Sequence, residues 1–183
     1  MPTLADLWMP IVASGLVVFF LSFLSWGVLP VHKGDMTQLP HEQAVMDAFR
    51  SWNLTQGTYF FPFMTPERKK DPAFRAEMGS NPSGLITVFG RHNMGLNMTL
   101  SFLVCVVISL FVAYLCAIAL QKGAAFGTVF RFASAAGILG YAFGQLSHQI
   151  WFQANTSAKV AAMLEGIVFG LATGAVFAFL WPE

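Results

Sequence analysis

Two ionisable side chains, His148 and Glu165, lie inside stretches that are otherwise apolar. An ionisable group in such a stretch is costly, so it marks either a satisfied pair or a site. Glu165 falls about two helical turns into the last apolar stretch, and His148 about one turn from the end of the preceding one, at ~3.6 residues per turn. Both are at similar depth on neighbouring helices, so a His148–Glu165 pair is expected, with Gln145 and Gln149 nearby. Such a pair has two possible uses. It can satisfy itself by hydrogen bonding and fix the register of a helical hairpin. It can also serve as a proton relay or ligand site. The first use is the simpler one.

Other chemistries find little support. The histidines His32, His41, His92 and His148, with Glu42 and Glu165, offer metal-ligand types, but no two histidines have the helical ligand spacing and no H-E-x-x-H occurs. A metal is therefore not expected. A haem held between spans would need two intramembrane histidines, and only His148 lies within one. There is no C-x-x-C, no phosphate-binding glycine loop and no G-x-S-x-G elbow, so no catalytic residue and no cofactor is assigned. Cys105 and Cys116 share one apolar run; a helix places them about 16 Å apart, too far for a disulfide, and they read as small apolar side chains. Arg131 is placed to snorkel or to meet Glu183. No span looks broken mid-membrane and no inverted repeat is visible.

The elements that position these groups follow from composition. Of the 183 residues, 56% are hydrophobic and 10% charged, with a net charge of +1. A soluble domain carries roughly 25% charged residues, so a membrane is the natural solvent for this chain. A basic stripe of the kind that binds nucleic acid is missing. Four segments reach the ~20 apolar residues that a spanning helix needs: about 7–29, 97–120, 126–152 and 158–181, with Pro30 and Pro182 closing the first and last. The N-terminal run has no positive charge before it and no A-x-A-like site after it, so it reads as a retained span. An even number of spans puts both termini on one side and segment 30–96 on the other. Trp8 and Trp181 mark the first interface, Trp26 and Trp151 the second. Eight of the ten Lys and Arg lie on the side of segment 30–96, which the positive-inside rule makes cytoplasmic, although the rule weakens for loops beyond ~60 residues.

Lipid tails are as apolar as leucine, so small residues mark the helix contacts. The fourth span has Ala162, Gly166, Gly170, Gly174 and Ala178 at a spacing of four. The third has Ala136, Gly140 and Gly144, which His148 continues, and the second has Ser101, Cys105, Ser109, Ala113 and Ala117. Spans three and four are predicted to pack as a tight hairpin. The first span has no comparable stripe and is expected at the edge of the bundle or against a partner.

Segment 30–96 has too many aromatic residues for a disordered linker. His41 to Trp52 reads as an amphipathic helix, with Val45, Met46, Phe49 and Trp52 on one face. Pro62 keeps Tyr59–Met64 from being helical. Thr65-Pro66 and Asp71-Pro72 each give a helix start, Gly79 a stop, and Leu85–Phe89 a short extended stretch.

Leu29-Pro30-Val31-His32-Lys33-Gly34-Asp35, then Leu39-Pro40, Glu42, Ala44-Val45-Met46 and Arg50, resembles the start of a family of small four-helix bacterial membrane proteins to which no activity is assigned. Phe130-Arg131-Phe132, Ile150-Trp151 and Gly166–Leu171 are similar to its C-terminal part. The resemblance implies a bacterial source and hence the cytoplasmic (inner) membrane. The sequence thus predicts a single all-α membrane domain, a four-helix bundle over residues 1–183 with an ordered extramembrane segment. The expected function is that of a non-catalytic accessory subunit or assembly factor, with the bilayer and other membrane subunits as partners and no nucleic acid. The alternative is a small transporter or metal-dependent membrane enzyme using His148 and Glu165.

Overall fold

The computed structural model describes residues 1–152 and 155–183. By its internal packing the chain divides into two compact units, Met1–Thr37 with Met94–Glu183, and Gln38–Asn93. The stretch after Pro30, expected in the extramembrane segment, thus belongs to the helical bundle as far as Thr37.

The bundle contains α1 (Trp8–Gly27), a 3-10 turn (Pro30–His32), α4 (Met94–Ala119), α5 (Phe126–Ile138), α6 (Leu146–Trp151) and α7 (Thr156–Phe179). Four helical stretches, Trp8–Gly27, Met94–Ala119, Phe126–Trp151 and Thr156–Phe179, are long and apolar enough to cross a membrane. The protein is an all-α, multi-pass membrane protein of four spans. Helices suit that solvent because each satisfies its backbone internally. Pro10 is accommodated in the first turn of α1, where a missing N–H costs nothing. The third span is not a regular α-helix throughout: it widens into a π turn over Leu139–Phe143 and passes through a turn at Gly144–Gln145 before α6.

Close helix contact follows the small residues, but only on certain faces. A Cβ on Gly166 would come within 2.5 Å of the Ala142 Cα, and one on Gly170 within 2.5 Å of the Ile138 backbone nitrogen. On Gly174 it would collide with Ser134. The α7 stripe therefore packs as predicted, against a face of the third span formed by Ser134, Ile138 and Ala142. Gly140 and Gly144 are not on that face. Gly140 is exposed and faces the Ile108 side chain of α4, while a Cβ on Gly144 would meet only the Gly140 carbonyl of its own helix. The predicted stripe lies two residues along from the contact face, about 200° around the helix at ~3.6 residues per turn.

The first span is not peripheral. It packs against both α4 and α7. Pro10, Ile11, Ser14, Gly15, Val18 and Ser25 are buried. The Ser14 hydroxyl lies 2.9 Å from that of Ser109 and donates 2.6 Å to the Pro10 carbonyl. Near the end of the bundle that holds both termini, Leu7, Ile11, Val112, Cys116, Val129 and Phe177 form a continuous buried cluster. Cys105 and Cys116 are both buried free thiols, as expected of small apolar side chains.

The second unit contains α2 (Glu42–Ser51), β1 (Gly57–Phe61), a 3-10 turn (Arg68–Lys70), α3 (Pro72–Met78) and β2 (Gly84–Val88). The strands pair antiparallel from Gly57↔Val88 to Phe61↔Gly84. Pro62, without an N–H to donate, ends the first strand. Asp71 accepts a 2.9 Å bond from the Ala73 N–H and so starts α3. Of the two predicted helix starts, the one at Thr65-Pro66 yields only the 3-10 turn. Phe74 is buried beneath the Arg68 guanidinium, 4.3 Å from the ring centre.

Candidate functional site

The only charged side chain of α7 that the sequence places deep in a span is Glu165, and the structure gives it a partner from another quarter. After Gly27 the chain leaves α1. Pro30, with its preset φ, opens the 3-10 turn that ends at His32. The turn folds back over the end of α1, so that the His32 ring stacks on Trp26 at 3.7 Å with the planes 11° apart. Asn155 holds the turn from the other side: its Oδ1 accepts the Ala158 N–H at 2.7 Å as the N-cap of α7, and its Nδ2 donates to the Gly34 carbonyl at 3.1 Å. Residues 153 and 154, which precede Asn155, lie outside the described residues.

Within this frame His32 lies between two carboxylates. Its Nδ1 is 2.7 Å from Asp35 Oδ2, and its Nε2 is 3.5 Å from Glu165 Oε2 and 3.4 Å from the Ser25 hydroxyl. The side chains of His32, Asp35 and Glu165 are 7%, 12% and 13% exposed, so the group is largely removed from solvent. Nδ1 thus faces one carboxylate, while Nε2 has both the Ser25 hydroxyl and Glu165 Oε2 within 3.5 Å, so the tautomer sets which nitrogen donates. The second oxygen, Glu165 Oε1, is buried and has no hydrogen-bond partner among the described residues.

Glu165 borders two spaces. On one side lies a groove of about 520 Å³ between α1 and α7, lined by Leu21, Leu24, Leu29, Val160, Leu164 and Val168, with Ser25 and Glu165 among its few polar groups. On the other is a cavity of about 100 Å³ whose lining includes Tyr141, Gln145 and Gln149. The larger space has the size and apolar lining of a small-molecule site, roughly 300–1,000 Å³.

The expected His148–Glu165 pair does not form. Glu165 pairs with His32, while the exposed His148 ring lies against Phe152 at 4.5 Å. The physical reason is angular. Gln145 and Gln149 line the small cavity with Glu165, and His148, about 100° around the helix from Gln149, points elsewhere. Arg131 donates to the Gly127 carbonyl of its own helix at 3.1 Å. His41 stands at the start of α2 with φ 54°, and His92 lies near Phe89. Among the described residues no three His, Cys, Asp or Glu side chains converge as a metal site. At His32 the geometry explains this, because the carboxylates sit on opposite edges of one ring.

Reasoning from the sequence placed His32 only among possible metal-ligand types and Trp26 only at an interface, and missed Asp35 and Ser25. The signal was present in Pro30-Val31-His32-Lys33-Gly34-Asp35. A proline, then a histidine with an aspartate three residues later, describes a tight turn with a built-in imidazole–carboxylate bond. No protein-family model, curated protein or solved structure matches this chain.

Proposed function

We propose that this chain is a multi-pass protein of the bacterial cytoplasmic membrane that takes an apolar molecule into the α1–α7 groove and links its binding to the proton held between His32 and Glu165. The observation that carries this reading is the double role of Glu165, with Oε2 on His32 and an unpartnered Oε1 in a carboxylate that lines the groove. In a water-poor site such a carboxylate must be neutralised by a proton or by a ligand, so occupancy and protonation are linked. This belongs to the transporter class of the two sequence readings, with His32 in the place given to His148. Native mass spectrometry of the protein released from mild detergent tests it. A bound apolar molecule is expected on the natural chain and lost in Ala161→Phe, which fills the groove. An empty natural chain, with Glu165→Gln indistinguishable from it in every proton measurement, would sink the reading.

An accessory-subunit or assembly role has its own support in the Gln38–Asn93 unit. Trp52, Phe60, Phe63 and Phe89 are exposed there, and aromatic residues are enriched where proteins meet. A pull-down of the tagged chain from its own membranes is expected to recover a stoichiometric partner that Trp52→Ala and Phe63→Ala release. Recovery of the chain alone would remove this role.

A further inference from the structure

Building on the proton-linked groove proposed above, we infer that its occupant is an amphiphilic organic cation, an apolar body with one protonated amine. Charge decides this. The buried group contains two carboxylates, Asp35 and Glu165, and one imidazole. Even with His32 protonated it is net negative, and no Lys or Arg lines the groove. An anionic head group such as a fatty-acid carboxylate would meet like charge with no counter-ion, which in low dielectric is strongly unfavourable. An ammonium instead brings N–H donors to the Glu165 carboxylate on the groove wall, with Ser25 on the same lining. The rest of the groove is leucine and valine and takes the apolar body. A single-chain amine fits better than a phospholipid amine, whose phosphate would bring a negative charge to the same carboxylates.

Binding is an exchange. The cation takes the place of the proton on the Glu165–His32 pair, and that proton leaves to water. The groups that face the pair are Asp35 from the turn, Ser25 from α1, and Tyr141, Gln145 and Gln149 across the smaller cavity. The exposed Lys33 and the half-buried Lys159 make no ion pair with Glu165.

The test uses the full chain in phosphatidylcholine nanodiscs, with dodecylammonium, dodecanol and dodecanoate as probes and empty discs as the partition control. Calorimetry in two buffers of different ionisation enthalpy counts the protons released. Dodecylammonium is expected to bind with a stoichiometry of about one and to release about one proton, since one ammonium replaces one proton at the site. Glu165→Gln is expected to weaken it by about thirtyfold or more and to abolish the release. Glu165→Asp, which keeps the charge, is expected to restore the release with weaker binding, separating loss of charge from loss of fold. Equal or tighter binding of dodecanol or dodecanoate overturns the cation and leaves the groove reading standing. Displacement of dodecylammonium by phosphatidylethanolamine in the disc overturns it in favour of a bilayer lipid. Binding of none of the probes overturns it as well, and together with an empty protein in native mass spectrometry removes the groove reading too.

Discussion

A carboxylate held against an imidazole away from water keeps its neighbour committed, and this makes His32 and His148 very different residues. Removing the imidazole in His32→Gln leaves Glu165 facing an amide in a buried site, and breaking a buried pair this way costs about 3–5 kcal/mol unless the carboxylate takes up a proton. The expected result is a lower unfolding midpoint in detergent, recovered in part by a second change, Glu165→Gln. His148→Ala removes an exposed ring and is expected to stay within about 0.5 kcal/mol of the natural chain. The reverse order would restore the pair first read from the sequence. At this scale Glu165 was legible because a lone charge in an apolar run is conspicuous. His32 was not, since helical periodicity says nothing of a side chain that folds back from a turn beyond the end of its helix.

The elements were legible in proportion to how much their signal depended on length alone. All four spans stand out by apolarity, and the structure keeps them close to the predicted bounds. The faces they present depend on phase, which a stripe of small residues fixes only when its partner is known. On α7 the stripe Gly166, Gly170 and Gly174 was read correctly; on the third span the stripe of Gly140 and Gly144 was not. In α1 the signal was Ser14 and Ser25, two hydroxyls at positions a lipid-facing helix would not favour. Gly170→Ala puts a methyl against the Ile138 backbone and is expected to destabilise by about 1–3 kcal/mol, as overpacking does. Gly140→Ala needs only a small movement of the Ile108 side chain and is expected to be near neutral or mildly stabilising. Unfolding of both variants in mixed micelles checks the pair, and equal losses would contradict the contact face described here.

Across the whole molecule, one short loop gathers both ends of the chain. Asp6 meets Lys122 at 3.1 Å, the Trp181 indole donates to the Gln121 carbonyl at 3.0 Å, and the Gly123 N–H donates to the Pro182 carbonyl at 2.9 Å. Gly123 has φ +71°, a conformation glycine adopts without strain. The Thr3 N–H, followed by Lys122, holds the Asp6 carboxyl down from 3.8 to about 2. A depressed acid stabilises the folded state above its unfolded value and loses that contribution as pH falls through its folded value. The closure at this end is therefore expected to hold at pH 4 and above and to weaken toward pH 2, with Lys122→Ala raising the Asp6 midpoint seen by NMR. An Asp6 midpoint near 3.8 in the natural chain would rule this out. That both termini share one end followed from counting spans; the loop that joins them did not, because backbone carbonyls leave no mark in a sequence.

The π turn in the third span divides one membrane crossing into two parts with different neighbours. Phe126–Ile138 lies along α7 through the glycine contacts, whereas Leu146–Trp151 touches α7 only slightly. An isotope clock would read this division directly. In deuterated buffer the amides of the first part are expected to keep their hydrogen for long times, while those from Gly144 onward exchange early and cooperatively. The second part carries Gln145 and Gln149 past Glu165, so that side of the smaller cavity is held less closely by α7 than the side formed by Ala142 and Gly166.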